Sequence, residues 1–364
     1  MKLGLGLYRH MLTRENFQFA RQAGATHIVA HLVDYFRGGG GHSATDDQPL
    51  GNDWGWGYAG DPDRLWTVDE LTAIRRSVEA EGLTLEAIEN FDPAHWHDVL
   101  LDGPRRAQHI ENVRTIIRRV GEAGIPIIGY NFSIAGVAGR TKGAYARGGA
   151  VSVGMEGTYD RPMPNGLAWN MVVDPTAPNR DTGTIPSATP EQLWSRLERF
   201  LNDVLPVAET AGVRLALHPD DPPTPTMRGQ PRLVYQPELY RRVVELNPSP
   251  ANQFEFCVGT LAEMVPQGAG DTYDFVDEYA RAQRVGYVHL RNVHGKVPHY
   301  TETFIDDGDV DVLRVLAILQ RNRFDGVIIP DHTPQMSCAA PWHAGMAFAL
   351  GFLKAGIKAL ESGR

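Results

Sequence analysis

Eight short β-rich apolar runs, each followed by a longer segment with helical spacing, constrain this chain more than any other feature. The runs are Leu3 to Leu7, Thr26 to Leu32, Leu83 to Glu89, Ile125 to Phe132, Arg214 to Pro219, Phe254 to Thr260, Val285 to Asn292 and Gly326 to His332. The helical segments are Thr13 to Ala23, Val68 to Glu81, Gly103 to Ala123, Pro190 to Ala211, Gln236 to Leu246, Thr272 to Gln283, Val310 to Asn322 and Ala344 to Glu361. Such alternation implies parallel βα units. Eight units in one chain predict a (β/α)8 TIM barrel ahead of a doubly wound sheet. Glycine before the next strand, at Gly24, Gly82, Gly124, Gly212 and Gly286, suits helix ends that turn through the left-handed region.

Composition narrows the function classes. Hydrophobic residues make up 42% and charged residues 22% of the 364 positions, ordinary values for a folded chain, and a single barrel domain over 1–364 is expected. No stretch approaches the roughly 18 to 20 apolar residues of a membrane span, and the start lacks a cleavable apolar leader. Cys257 and Cys338 are too few for a disulfide framework, so a reducing, cytoplasmic setting is expected. A net charge of -9 with no Lys/Arg cluster opposes nucleic-acid binding. The expected partners are a small sugar acid or sugar and further copies of the chain, not nucleic acid or a membrane.

Two connections exceed the usual two to six residues. Residues 33–66 carry GGGGH (Gly38 to His42) and NDWGWG (Asn52 to Gly57), and residues 133–189 carry Arg140, Lys142, Arg147 and Arg161. Both follow strands, so both are expected on the C-terminal face as active-site loops.

In a barrel, chemistry collects where strands end. Here His218 closes the fifth run, Cys257 lies in the sixth, His289 in the seventh, and Asp331 with His332 closes the eighth. Two imidazoles, a thiolate and a carboxylate form a coherent ligand set for a divalent transition metal. Manganese(II) or iron(II) suits a carboxylate and open positions better than zinc. Asp220 or Asp221, following His218, is expected to hold its tautomer. Tyr8, His10, His31, Glu89, Asn90, Asn131 and Asn292 add polar groups at the same face, and Arg291 offers a planar fork for a substrate carboxylate.

LALHPDDPP (Leu215 to Pro223), FCVGT (Phe256 to Thr260), VHLRNVHG (Val288 to Gly295), FIDDGDVDV (Phe304 to Val312) and IPDH (Ile329 to His332) occur in order. Together they resemble the successive motifs of UxuA-type mannonate dehydratases, as does QAGATHIVAHL (Gln22 to Leu32). The resemblance implies a TIM barrel that dehydrates D-mannonate to 2-keto-3-deoxy-D-gluconate with manganese or iron(II). Carried over by motif, the ligands are His218, Cys257, His289 and Asp331, and His332 is the acid/base histidine. Two segments depart from the family pattern. Ala339 to Gly351, AAPWHAGMAFALG, has no tyrosine where the family has one, and His343 is the candidate replacement. Asn131 to Thr141, NFSIAGVAGRT, keeps Asn131 and Arg140 but lacks acidic and tryptophan positions. Arg291, Asn131, Asp220, Asn292, Tyr8 and Arg140 are the expected substrate contacts. An isomerase, epimerase or lyase on a neutral or keto sugar, and a non-enzymatic sugar- or metal-binding protein, stand as alternatives.

Overall fold

In the computed structural model, all residues are described except 37–56, 170–171, 175, 178–181, 267, 269 and 364. GGGGH and all of NDWGWG but Gly57 therefore lie outside the described residues. Eight parallel strands close a barrel: β1 (Lys2–Leu7), β2 (His27–His31), β3 (Thr84–Glu89), β4 (Ile127–Asn131), β5 (Arg214–His218), β6 (Asn252–Cys257), β7 (Val285–His289) and β8 (Val327–Ile329). Each predicted run overlaps one of them, with β1 starting one residue and β6 two residues before the predicted run. β8 pairs with β1 through Lys2 and Val327, which completes the circle.

The eight helical segments form Arg14–Ala23, Val68–Ala80, Arg106–Glu122, Pro190–Ala211, Leu239–Leu246, Thr272–Arg281, Val312–Arg321 and Pro341–Glu361. Their starts are chemically marked. Thr67, Thr189 and Asp271 each accept a backbone N–H of the first turn in a capping box, which satisfies donors that helix geometry leaves open. Gly24 and Gly212 take the left-handed C-cap. Gly286 does not: it sits inside β7, and the turn before it places Gln283 at φ 55 instead. No helix among the described residues is long and apolar enough to cross a membrane.

Strand alternation sorts the side chains. Ile28, Ala30, Ile88, Leu215, Leu217, Phe254 and Phe256 belong to the large core that packs strands on helices, while Val29, Ala87, Ile127, Ala216, Tyr287, Val327 and Ile329 form a separate cluster inside the barrel. Two residues on from that inner layer, the same face carries His31, Glu89, His218 and His289 (period two). Gly129 in β4 makes space for this layer, because a β-carbon there would strike Tyr287 and Glu255.

A second sheet stands apart from the barrel. Arg140–Ala146 and Ala150–Glu156, from the connection after β4, join Asn292–Lys296 and His299–Thr303, from the connection after β7, in four antiparallel strands. The seventh run, expected as one strand to Asn292, therefore ends at His289 and restarts in this other sheet. The sixth ends at Cys257, whose sulfur accepts the Thr260 N–H and caps a short helix, Val258–Glu263.

Candidate metal centre and active site

The strand ends enclose a cavity of about 830 Å³, its open mouth included. His218, His289, Asp331 and His332 line it on one side; Tyr8, His31, Glu89, Asn131 and Arg140 complete much of the wall. Register explains the convergence. Cys257 pairs with His289 across β6 and β7, Asn131 with His218 across β4 and β5, and His31 with Glu89 across β2 and β3.

The ligand atoms of His218, Cys257 and His289 lie within 4.8 Å of one another. Asp331 Oδ1 is 3.3 Å from His289 Nδ1, and Oδ2 is 3.9 Å from Cys257 Sγ. His218 Nδ1 lies 2.6 Å from the Pro219 carbonyl, which can only accept, so Nδ1 carries the proton and Nε2 keeps its lone pair. The Pro219 carbonyl thus does what Asp220 or Asp221 was expected to do. His289 is held the other way round: Nε2 faces Glu255 at 3.1 Å and Glu89 at 3.3 Å, leaving Nδ1 toward Asp331. Burial pushes the Cys257 thiol up to about 12, although Arg291 opposes it. A cation at the site would supply the charge that a thiolate requires.

Carboxylates in the cavity wall and below it are balanced by Arg291. Its Nη2 donates to Asp221 at 3.0 Å, Glu263 at 3.0 Å and Thr260 at 3.1 Å, and Nη1 pairs with Asp331. Gly259 leaves the room for this side chain. Burial raises the Asp221 carboxyl, but Arg291 and Arg140 overcome that and hold it at about 2. Glu263, deeper, is raised by burial to about 8 despite Arg291. The guanidinium expected to clamp substrate is therefore spent on internal carboxylates and is not among the cavity-lining residues.

Three further expected residues stay away from the cavity. Asp220 accepts the Leu233 and Val234 N–H groups at 2.7 and 2.8 Å and pairs with Arg232, fastening its own loop. Asn292 bonds Ile305 and Val310 and holds the following connection in place. His343 bonds Asn16 at 3.1 Å and packs on Phe19; Trp342 and Met346 of the same helix face the cavity instead. Tyr8, Asn131 and Arg140 do line it.

Arg140 comes from the second sheet, buried, 3.6 Å from Glu302 and 3.9 Å from Asp221, with Nη1 lacking a hydrogen bond. Glu302, on the adjoining sheet segment, stands 3.0 and 3.2 Å from His332 Nδ1. Burial lowers the His332 pKa, yet Asp331 and Glu302 raise it further, so the net shift is upward. Sequence reasoning missed Glu302, Glu255 and Glu263. Glu255 was within reach, since period two places it on the face of Cys257.

A family profile described as D-mannonate dehydratase (UxuA) matches residues 11–163 and 182–350. The mannonate dehydratase of Streptococcus equi subsp. zooepidemicus is 30% identical over 295 residues, covering 74% of this chain and 75% of that one. The crystal structure of mannonate dehydratase from Streptococcus suis superimposes with a TM-score of 0.73 at 25% identity, covering 100% of this chain and 95% of the other. A xylose isomerase domain protein from Planctomyces limnophilus, at 14% identity and a TM-score of 0.54 over 99% and 98% of the two chains, shares the fold. With its barrel, its strand-end side chains and a profile match spanning most of its length, the chain belongs to the UxuA family of D-mannonate dehydratases.

Proposed function

We propose that this chain is a hydro-lyase that converts D-mannonate to 2-keto-3-deoxy-D-gluconate and water, with manganese(II) or iron(II) held by His218, Cys257, His289 and Asp331. The observation that carries the reading is the convergence of those four side chains beside Arg140 and His332. The donor set fits a divalent ion: the Pro219 carbonyl keeps the His218 proton on Nδ1 and leaves Nε2 free, and His289 turns Nδ1 toward Asp331. Such an ion would stabilise, by several kcal/mol, negative charge building on substrate oxygen as carbon 2 loses its proton.

Arg140 anchors the substrate carboxylate. Its guanidinium lines the cavity, and its two ion pairs are long, so a carboxylate in hydrogen-bond range competes well for the fork. Asn131, whose Oδ1 is buried without a partner, and Tyr8 are placed for sugar hydroxyls. His332 lies between Glu302 and Asp331, which keeps a proton on the imidazole, and it gives that proton to the departing hydroxyl. Trp342 and Met346 form an apolar wall that limits water.

The test is an aldonate screen with Mn-loaded protein, read by NMR for a 2-keto-3-deoxy acid. Formation from D-mannonate is expected. Metal-loaded protein that yields none from D-mannonate or any other aldonate sinks the reading.

A further inference from the structure

Elimination needs two proton transfers: one group removes the proton at carbon 2, and another protonates the leaving oxygen at carbon 3. His332 supplies the second. The first has no tyrosine in the Ala339 to Gly351 segment to draw on, and His343 lies against Phe19, away from the cavity. The cavity's carboxylates are already engaged: Asp221 and Asp331 by Arg291, and Glu89 by the Nε2 side of His289.

His31 remains. It ends β2, lines the cavity and packs its ring on Tyr8 at a centroid distance of 4.7 Å, with Tyr35 edge-on at 6.0 Å. Nδ1 is buried without a hydrogen bond, and Nε2 is 3.5 Å from Glu89 Oε2. The groups facing the ring are Tyr8 just after β1, Tyr35 from the connection after β2, Glu89 from β3, His289 from β7, and Asp331 with His332 beyond β8.

We propose that His31 is the second catalytic residue, taking the carbon-2 proton on Nε2 while His332 protonates the carbon-3 hydroxyl. The assignment rests on the dehydration reading. The C2–H pair becomes the C2=C3 bond, and the C3–O pair leaves with the hydroxyl, which a proton from His332 converts to water. The enol becomes the keto acid when His31 gives its proton to carbon 3 and the enol hydroxyl reprotonates His332. Glu89, 3.5 Å from the same Nε2, stabilises the intermediate imidazolium of His31 by its charge.

The test compares His31→Gln, His332→Gln and the double variant, all Mn-loaded, on D-mannonate. His31→Gln is expected to retain metal and KM within a few-fold and to lose about 10²- to 10⁴-fold in kcat. In deuterated water, His332→Gln should still exchange the carbon-2 proton, and the double variant should not. Imidazole should restore turnover to His31→Ala. A His31→Gln enzyme within threefold of wild-type kcat overturns the proposal, as does a His31→Ala enzyme that has lost its metal and is not rescued. Wild-type protein that dehydrates no aldonate marks failure of the dehydration reading instead, and the assignment falls with it.

Discussion

Glu302 Oε1 lies 3.0 Å from His332 Nδ1, yet the two residues come from different parts of the fold. His332 follows β8 of the barrel, whereas Glu302 is carried by the four-stranded sheet that also delivers Arg140. That sheet braces two walls of the cavity from outside the barrel.

Glu302→Gln keeps an oxygen acceptor for the Nδ1 proton but removes the charge. We expect kcat to fall by about 10²-fold, the low end for a general acid, with metal content unchanged. Glu302 raises the His332 pKa, and a proton donor fails as pH rises through its pKa. The alkaline limb of the kcat profile should therefore move to lower pH in the variant. A profile that does not move would mean that Glu302 acts only structurally.

Glu255 stands behind the proposed metal ligand His289, 3.1 Å from its Nε2. Groups that orient a ligand histidine typically govern about 10- to 100-fold in affinity. Glu255→Leu should lose manganese by about that factor in a chelator competition, and Glu255→Gln, which can still accept from Nε2–H, should lose less. His289→Ala and Cys257→Ser should lose metal outright, as measured by elemental analysis. Equal affinity in Glu255→Leu and wild type would remove Glu255 from this role.

The barrel was legible because strand and helix periods differ and short apolar runs alternate with amphipathic segments throughout. The convergence of His218, Cys257, His289 and Asp331 was legible because parallel strands in register bring their C-terminal ends to one level. The second sheet was not, since its strands come from two segments far apart in sequence and none has a long apolar run. Arg291 was read by its chemistry alone; its direction depends on Asp221, Glu263 and the gap at Gly259, which only packing reveals. His343 was misplaced for a rotational reason. Each helical residue advances about 100°, so Trp342 and Met346 face the cavity while His343 faces Phe19.

Arg140 and Arg291 should separate cleanly on mutation. Arg140→Ala should raise KM for D-mannonate about 10- to 100-fold, from the roughly 1.5–3 kcal/mol of a charged hydrogen bond, with little change in Tm. Arg291→Ala leaves Asp221, Glu263 and Asp331 without their buried counter-charge and should cost about 3–5 kcal/mol of stability. Thermal melting and KM measured on both variants check the division. The reverse pattern, a KM effect at Arg291 with normal stability, would return the carboxylate site to Arg291.

Away from the cavity, His97, Asp98 and His109 form a buried group under the helix Arg106–Glu122. His109 Nδ1 accepts the Asp98 N–H at 3.1 Å, which requires the unprotonated nitrogen, and burial together with His97 lowers its pKa from 6.5 to about 4. The unfolded chain therefore takes up a proton at His109 before the folded one does. Stability falls as pH drops from about 6.5 to about 4 and loses nothing further from this group below that. His109→Gln, which retains an acceptor but cannot titrate, should show a shallower loss over the same window. Denaturant midpoints of both proteins at pH 7, 5.5 and 4.5 measure it, and parallel curves would show that His109 does not contribute to the acid limb.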